Sequence, residues 1–221
     1  MGEPYCRLPI VAKTLTWRKC YMGKNRLEKA ISAYKSTVPG GEQDTFAVTW
    51  HPFYLDPSLP NHGTPADVLM AKKFGADRAK MLTGRLHQMG NAEGLGFKSR
   101  GAIGNTRDAH RLLQLAKQKG LDVQNKVVGQ LFELHMEEGM DITSRDMLAE
   151  AAARSGIDKA EAEQWLADGK GGDAVDREVQ EAYAMGVSGV PNFTVNGKYV
   201  LEGAQDPETL VQVFLRAKGE A

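Results

Sequence analysis

One stretch constrains the fold of this chain more than any other: the sixteen residues MGVSGVPNFTVNGKYV that run from Met185 to Val200. Asn196-Gly197 lies between two apolar runs. This is a strong hairpin signal, because both residues of a tight two-residue turn must take positive φ. Pro191 stands at the mouth of the first strand, where a missing N–H is tolerated. The Val190-Pro191 step is a candidate cis peptide, since only an imino acid makes that geometry inexpensive.

The N-terminal part has a different rhythm. Residues 8–12 predict a short strand, weakened by Pro9. Leu27, Ala30, Ile31 and Tyr34 fall at i, i+3, i+4 and i+7, one face of an amphipathic helix that Pro39-Gly40-Gly41 ends. Residues 45–50 alternate, with Phe46, Val48 and Trp50 on one side of a second strand. Three prolines make residues 52–61 a loop.

From Pro65 to Met185 the pattern is helical with no strand signal. Pro65 suits a first helical position. A helix is expected near residues 77–89, then a glycine-rich loop over residues 90–104, then a helix capped by Asn105 or Thr106 with Ala109, Leu112, Leu113 and Ala116 inward. Val127, Val128, Leu131 and Leu134 mark another. Thr143-Ser144-Arg145-Asp146 resembles a capping box, and residues 158–168 and 175–185 complete the helical set around the Gly171-Gly172 break. Asp206 caps and Pro207 begins the last helix, which buries Leu210, Val213 and Phe214. The order is βαβ, a run of helices, then ββα. This is an α/β thioredoxin-like fold split by a large all-helical insertion, with residues 1–60 and 187–221 forming the sheet domain and 61–186 the insertion. A cleft between the two is a common place for a ligand.

The formal net charge is zero and no basic run occurs, so neither nucleic acid nor an anionic membrane is expected as a partner. No apolar stretch approaches the length of a membrane span, and residues 1–16 lack the apolar core of a secretory signal. A cytoplasmic protein is expected. Cys6 and Cys20, with thirteen residues between them, make no disulfide framework and lie at no metal-ligand spacing. The five histidines show no zinc-binding helical spacing, so no metal is expected. The oligomeric state and the physiological substrate are not legible.

In thioredoxin-like enzymes a Cys-x-x-Cys pair opens the first helix, whose N-terminus favours a thiolate. The first sulfur attacks a substrate disulfide and the second resolves the mixed disulfide. Here the segment reads Thr14-Leu15-Thr16-Trp17-Arg18-Lys19-Cys20-Tyr21-Met22-Gly23-Lys24. From Cys20 onward it resembles the DsbA-like thioredoxin-fold family of FrnE type. The likeness extends over Pro52-Phe53-Tyr54-Leu55, Gly94-Leu95-Gly96-Phe97, Asn105-Thr106, Ala109-His110-Arg111-Leu112, the Gly186–Phe193 stretch and Gly203-Ala204-Gln205, roughly residues 16–214 in all. The resemblance implies thiol–disulfide oxidoreductase activity and makes Pro191 the family's cis-proline. It places Cys20 at the second, resolving position and Trp17 at the first, and an indole forms no mixed disulfide. The motif is therefore incomplete and leaves open whether the chain is an enzyme.

Cys20 is the candidate catalytic residue. A helix N-terminus, Lys19 and Lys24 favour its thiolate, whereas burial at the resolving position favours an inert thiol. Trp17, Val190 and Pro191 are the candidate substrate-binding residues. Cys6 reaches Cys20 only if the first segment folds back. The implied partner is a thiol or disulfide peptide, or glutathione as a substrate, with no resident cofactor. Two alternatives stand beside the oxidoreductase reading: a non-catalytic thioredoxin-fold binding module, and a glutathione-dependent transferase or isomerase. The latter follows from relatives of similar layout, the kappa-class glutathione transferases and 2-hydroxychromene-2-carboxylate isomerases. These carry serine at the first position; Thr16 is a substitute hydroxyl or simply a helix cap. Lys98, Arg100 and Arg107 either attract an anionic ligand or form a solvated basic loop. Trp165 and His110 are read as packing residues.

Overall fold

The computed structural model describes residues 6–13, 18–98 and 101–219. The elements run β1 (Arg7–Lys13), α1 (Arg18–Thr37), β2 (Thr45–His51), β3 (Thr64–Pro65), α2 (Ala66–Phe74), α3 (Ala76–Ala92) and β4 (Ala102–Ile103). Then follow α4 (Arg107–Lys119), α5 (Leu121–Phe132) with a wide π turn over Glu133–Glu137, α6 (Arg145–Arg154), α7 (Lys159–Ala167) and α8 (Gly172–Ala184). The chain closes with β5 (Asn192–Val195), β6 (Tyr199–Glu202) and α9 (Pro207–Lys218). The result is a thioredoxin-like α/β fold with a helical insertion.

Four strands lie in the order β2-β1-β5-β6. β1 runs parallel to β2 and antiparallel to β5. Leu8, Ile10 and Ala12 are fully buried, as a period of two on a central strand demands. Pro9 does not weaken this strand. Its carbonyl accepts from Asn196 N–H, so its nitrogen faces the hairpin turn beyond the last ladder pair, Ile10 with Val195. Asn196 and Gly197 take φ of 52° and 67°, the conformation expected of that turn.

α1 and α9 cover one face of the sheet, where Tyr34, Phe46 and Phe214 pack with ring centroids 5.0–6.0 Å apart. Asp44 is buried among them. It accepts from the Cys6 backbone N–H at 2.9 Å, the Tyr34 hydroxyl at 2.8 Å and the Lys218 ammonium at 2.8 Å. Burial alone would raise its pKa, but these donors outweigh burial and hold the carboxyl below its ordinary value.

The inserted helices pack around α4, which is buried at every position from Ala109 to Ala116. Arg111 is among them, its guanidinium donating to the carbonyls of Trp165, Leu166 and Lys170 and paired with Asp108. Gln124 of α5 fastens this bundle to the sheet. Its amide accepts from Trp50 N–H at 3.0 Å and donates to Trp50 C=O at 2.9 Å, occupying the open edge of β2.

Several local expectations are corrected. The stretch expected to be free of strands contains the pair β3–β4, two residues each, too short to show alternation. Pro65 is extended (φ −49°, ψ 131°) and precedes the helix instead of opening it. α3 continues through Gly90 to Ala92, because the Phe97 ring occupies the space a Cβ at Gly90 would fill. Ser144, one residue later than Thr143, caps α6 through Met147 N–H.

Candidate functional site

The site is built where the start of α1 meets the loop entering β5. The Val190-Pro191 peptide bond is cis. A Cβ built on Gly23 would lie 2.8 Å from Pro191 Cγ and 3.3 Å from Phe193 Cζ, so α1 and the proline loop approach as closely as a glycine permits. Cys20 is one turn earlier on the same side of α1. Pro191 is buried and its carbonyl accepts from Gly203 N–H at 2.8 Å. Val190 is half-buried, and neither of its backbone groups has a hydrogen-bond partner among the described residues.

Cys20 is fully buried and not in a disulfide. The charge expected from Lys24 is not offered to it freely: Lys24 is itself buried and pairs with Glu28 at 2.5 Å. Lys19 is exposed. Two further basic side chains of α1 are also engaged, Arg26 with Glu93 and the Ala204 carbonyl and Lys29 with Glu93. Trp17 and Thr16 lie outside the described residues. Cys6 sits at the opposite end of β1, seven residue steps from Lys13 at about 3.3 Å each, far beyond disulfide range of Cys20. Burial and Asp44 both push its thiol pKa up, against the opposing influence of Lys218.

These observations set the start of α1, with the buried Cys20, against a cis-proline. The profile of the DSBA-like thioredoxin domain matches residues 19–214. The chain belongs to the DSBA-like thioredoxin domain family. Among solved structures it is similar to the probable DsbA oxidoreductase of Streptomyces coelicolor, at 30% identity over 98% of this chain and 92% of that one, with a TM-score of 0.82. A 2-hydroxychromene-2-carboxylate isomerase shares the fold at 15% identity, 95% coverage of both chains and a TM-score of 0.68. The cytosolic disulfide reductase DsbM of Pseudomonas aeruginosa, determined with glutathione, shares it at 16% identity, 97% and 100% coverage and a TM-score of 0.56. Among curated proteins no sequence match is found.

The other expected residues of this DSBA-like chain divide. Arg107 is held by Asp176 in a two-pronged pair at 2.7 and 2.9 Å, so it is not available to an anion. Arg100 lies outside the described residues. Lys98 does stand at an opening. With Arg18, the first residue of α1, it lines a cavity of about 500 Å³ between α2, α3 and the π turn. His110 is buried beside the Tyr54 ring, and burial pushes its pKa down to about 3, so it is a neutral packing residue. Trp165 donates its indole N–H to the Arg111 carbonyl inside the insertion. Among the described residues no group of side chains has the makeup to hold a metal ion, and no helix is long and apolar enough to cross a membrane.

Sequence reasoning missed the cavity. Its walls come from α1, α2, α3, β4 and the π turn, and no motif marks them. The one available signal was the stripe Ala76, Ala79, Thr83, Leu86, whose small residues at helical spacing leave room.

Proposed function

We propose that this protein is a member of the thiol–disulfide oxidoreductase lineage that keeps the substrate-docking geometry and does not run the two-thiol cycle. The observation that carries this reading is the state of Cys20: a fully buried thiol on the first turn of α1, preceded at the attacking position by Trp17. Disulfide exchange needs an accessible thiolate to break the substrate S–S bond and a second sulfur to release the mixed disulfide. Trp17 supplies neither, and Cys6 is remote. The unpaired backbone of Val190 beside Pro191 suits an extended thiol or disulfide peptide, or glutathione, held by backbone hydrogen bonds. Two unbridged cysteines suit a reducing compartment, in keeping with a cytoplasmic protein.

The test is insulin reduction with dithiothreitol as electron source. Wild type and Cys20→Ser should both leave the uncatalysed rate unchanged. Robust turnover by the wild type that disappears in Cys20→Ser would overturn the reading. Titration calorimetry with glutathione tests the docking partner, and a heat of binding lost in Val190→Pro supports backbone pairing.

A further inference from the structure

The cavity beside Arg18 goes beyond that reading, because it needs no sulfur. α2 carries Val68 and Met70 yet buries none of its side chains. Both line the cavity, with Val68 54% exposed, so the helix turns apolar surface toward an empty volume instead of a packed core. The facing wall is one stripe of α3: Ala76, Ala79, Thr83 and Leu86. Small residues on that stripe keep the space open, and about 500 Å³ falls within the usual range for small-molecule sites.

The polar groups around this apolar volume are unequal in sign. Arg18, Lys80 and Lys98 stand on the rim against a single carboxylate, Asp67. Arg18 is half-buried; it donates to the Lys98 carbonyl at 3.0 Å and lies over the Phe97 ring, and among the described residues it has no carboxylate partner. A half-desolvated guanidinium without a counterion is an anion site, since a charged pair is stronger away from water. His135 lines the same cavity and is 4% exposed. Its Nδ1 faces the Met140 carbonyl at 2.8 Å and must therefore carry the proton, which leaves Nε2 as an acceptor with no partner among the described residues. Burial and then the Met140 hydrogen bond act in opposite senses on its pKa, and burial wins, so the ring is neutral and adds no charge.

We propose that this cavity binds a small apolar carboxylate, its hydrophobic body between α2 and α3 and its anionic group on Arg18. Titration calorimetry of the full chain with 2-naphthoate and with the uncharged 2-naphthamide reads this directly. Naphthoate should bind more tightly. Arg18→Gln should weaken naphthoate about tenfold and leave naphthamide unchanged, the effect of removing one charge-assisted pair. Thr83→Trp, which fills the cavity, should abolish both, and Met70→Trp from the opposite wall repeats the test should the first variant fail to fold by circular dichroism. Naphthoate binding is read as a heat and insulin turnover as a reduction rate, so failure of either leaves the other reading standing. Absence of binding, equal binding of acid and amide, or naphthoate affinity untouched by a folded cavity-filling variant would overturn it.

Discussion

Replacing Gly23 by alanine tests the meeting of α1 with the proline loop by the sign of a stability change. Within a helix, glycine to alanine is ordinarily stabilising by about 1 kcal/mol, partly through the unfolded chain. At Gly23 the new methyl would sit 2.8 Å from Pro191 Cγ and 3.3 Å from Phe193 Cζ, and both are buried against the sheet. Overpacking of this kind costs about 1–3 kcal/mol. The expected net effect is a destabilisation of up to about 2 kcal/mol, since propensity recovers part of the steric cost. Gly84 supplies the control. It is a helical glycine in α3 with nothing within 4 Å of a built Cβ. Gly84→Ala carries the same propensity gain without the clash, so the two variants should differ by the overpacking contribution alone, about 1–3 kcal/mol. Urea midpoints at matched slopes measure the difference. If Gly23→Ala is stabilised as much as Gly84→Ala, α1 does not pack on Pro191 as described.

Other outcomes follow from the same physics. The Asp44 carboxyl titrates below its ordinary value, so its contribution to stability is complete above the unfolded value of about 4 and is lost as pH falls through the depressed folded value. Asp44→Asn should therefore flatten the acid limb of stability against pH, and should cost about 1–3 kcal/mol at neutral pH because the buried Cys6 N–H and Tyr34 hydroxyl lose a charged acceptor, both read by urea melts over a pH series. Gln124→Leu should cost roughly 2–4 kcal/mol, because both backbone groups of Trp50 lose a buried partner; an unchanged urea midpoint would refute that account of the β2 edge. Neither cysteine should react quickly with Ellman's reagent in the native protein, since Cys6 is 7% exposed and Cys20 0%. Both should react on unfolding, and one fast native thiol would contradict the burial of Cys20.

The sheet and the long helices were legible because each has a periodic apolar face, as Leu8-Ile10-Ala12 and Leu27-Ala30-Tyr34 illustrate. The hairpin was legible because few residues other than Asn and Gly accept its φ values. What escaped was either too short or too dispersed. β3 and β4 span two residues each, so no alternation can develop. Gly90 reads as a loop signal until Phe97 is known to lie against it. Lys24 and Arg107 read as free positive charge until Glu28 and Asp176 are placed beside them. The cavity joins Arg18 to residues of α2, α3 and the π turn, a juxtaposition that only the tertiary fold creates.

The most direct test concerns what stands opposite Pro191 at the head of α1. In a Cys6→Ser background, Trp17→Cys restores a Cys-x-x-Cys spacing with Cys20. In a glutathione redox buffer this variant should form one intramolecular disulfide, seen as the loss of two hydrogens by intact mass, and should then accelerate insulin reduction. Two thiols that stay reduced across the whole buffer range, with no gain in turnover, would contradict the placement of Cys20 at the resolving position.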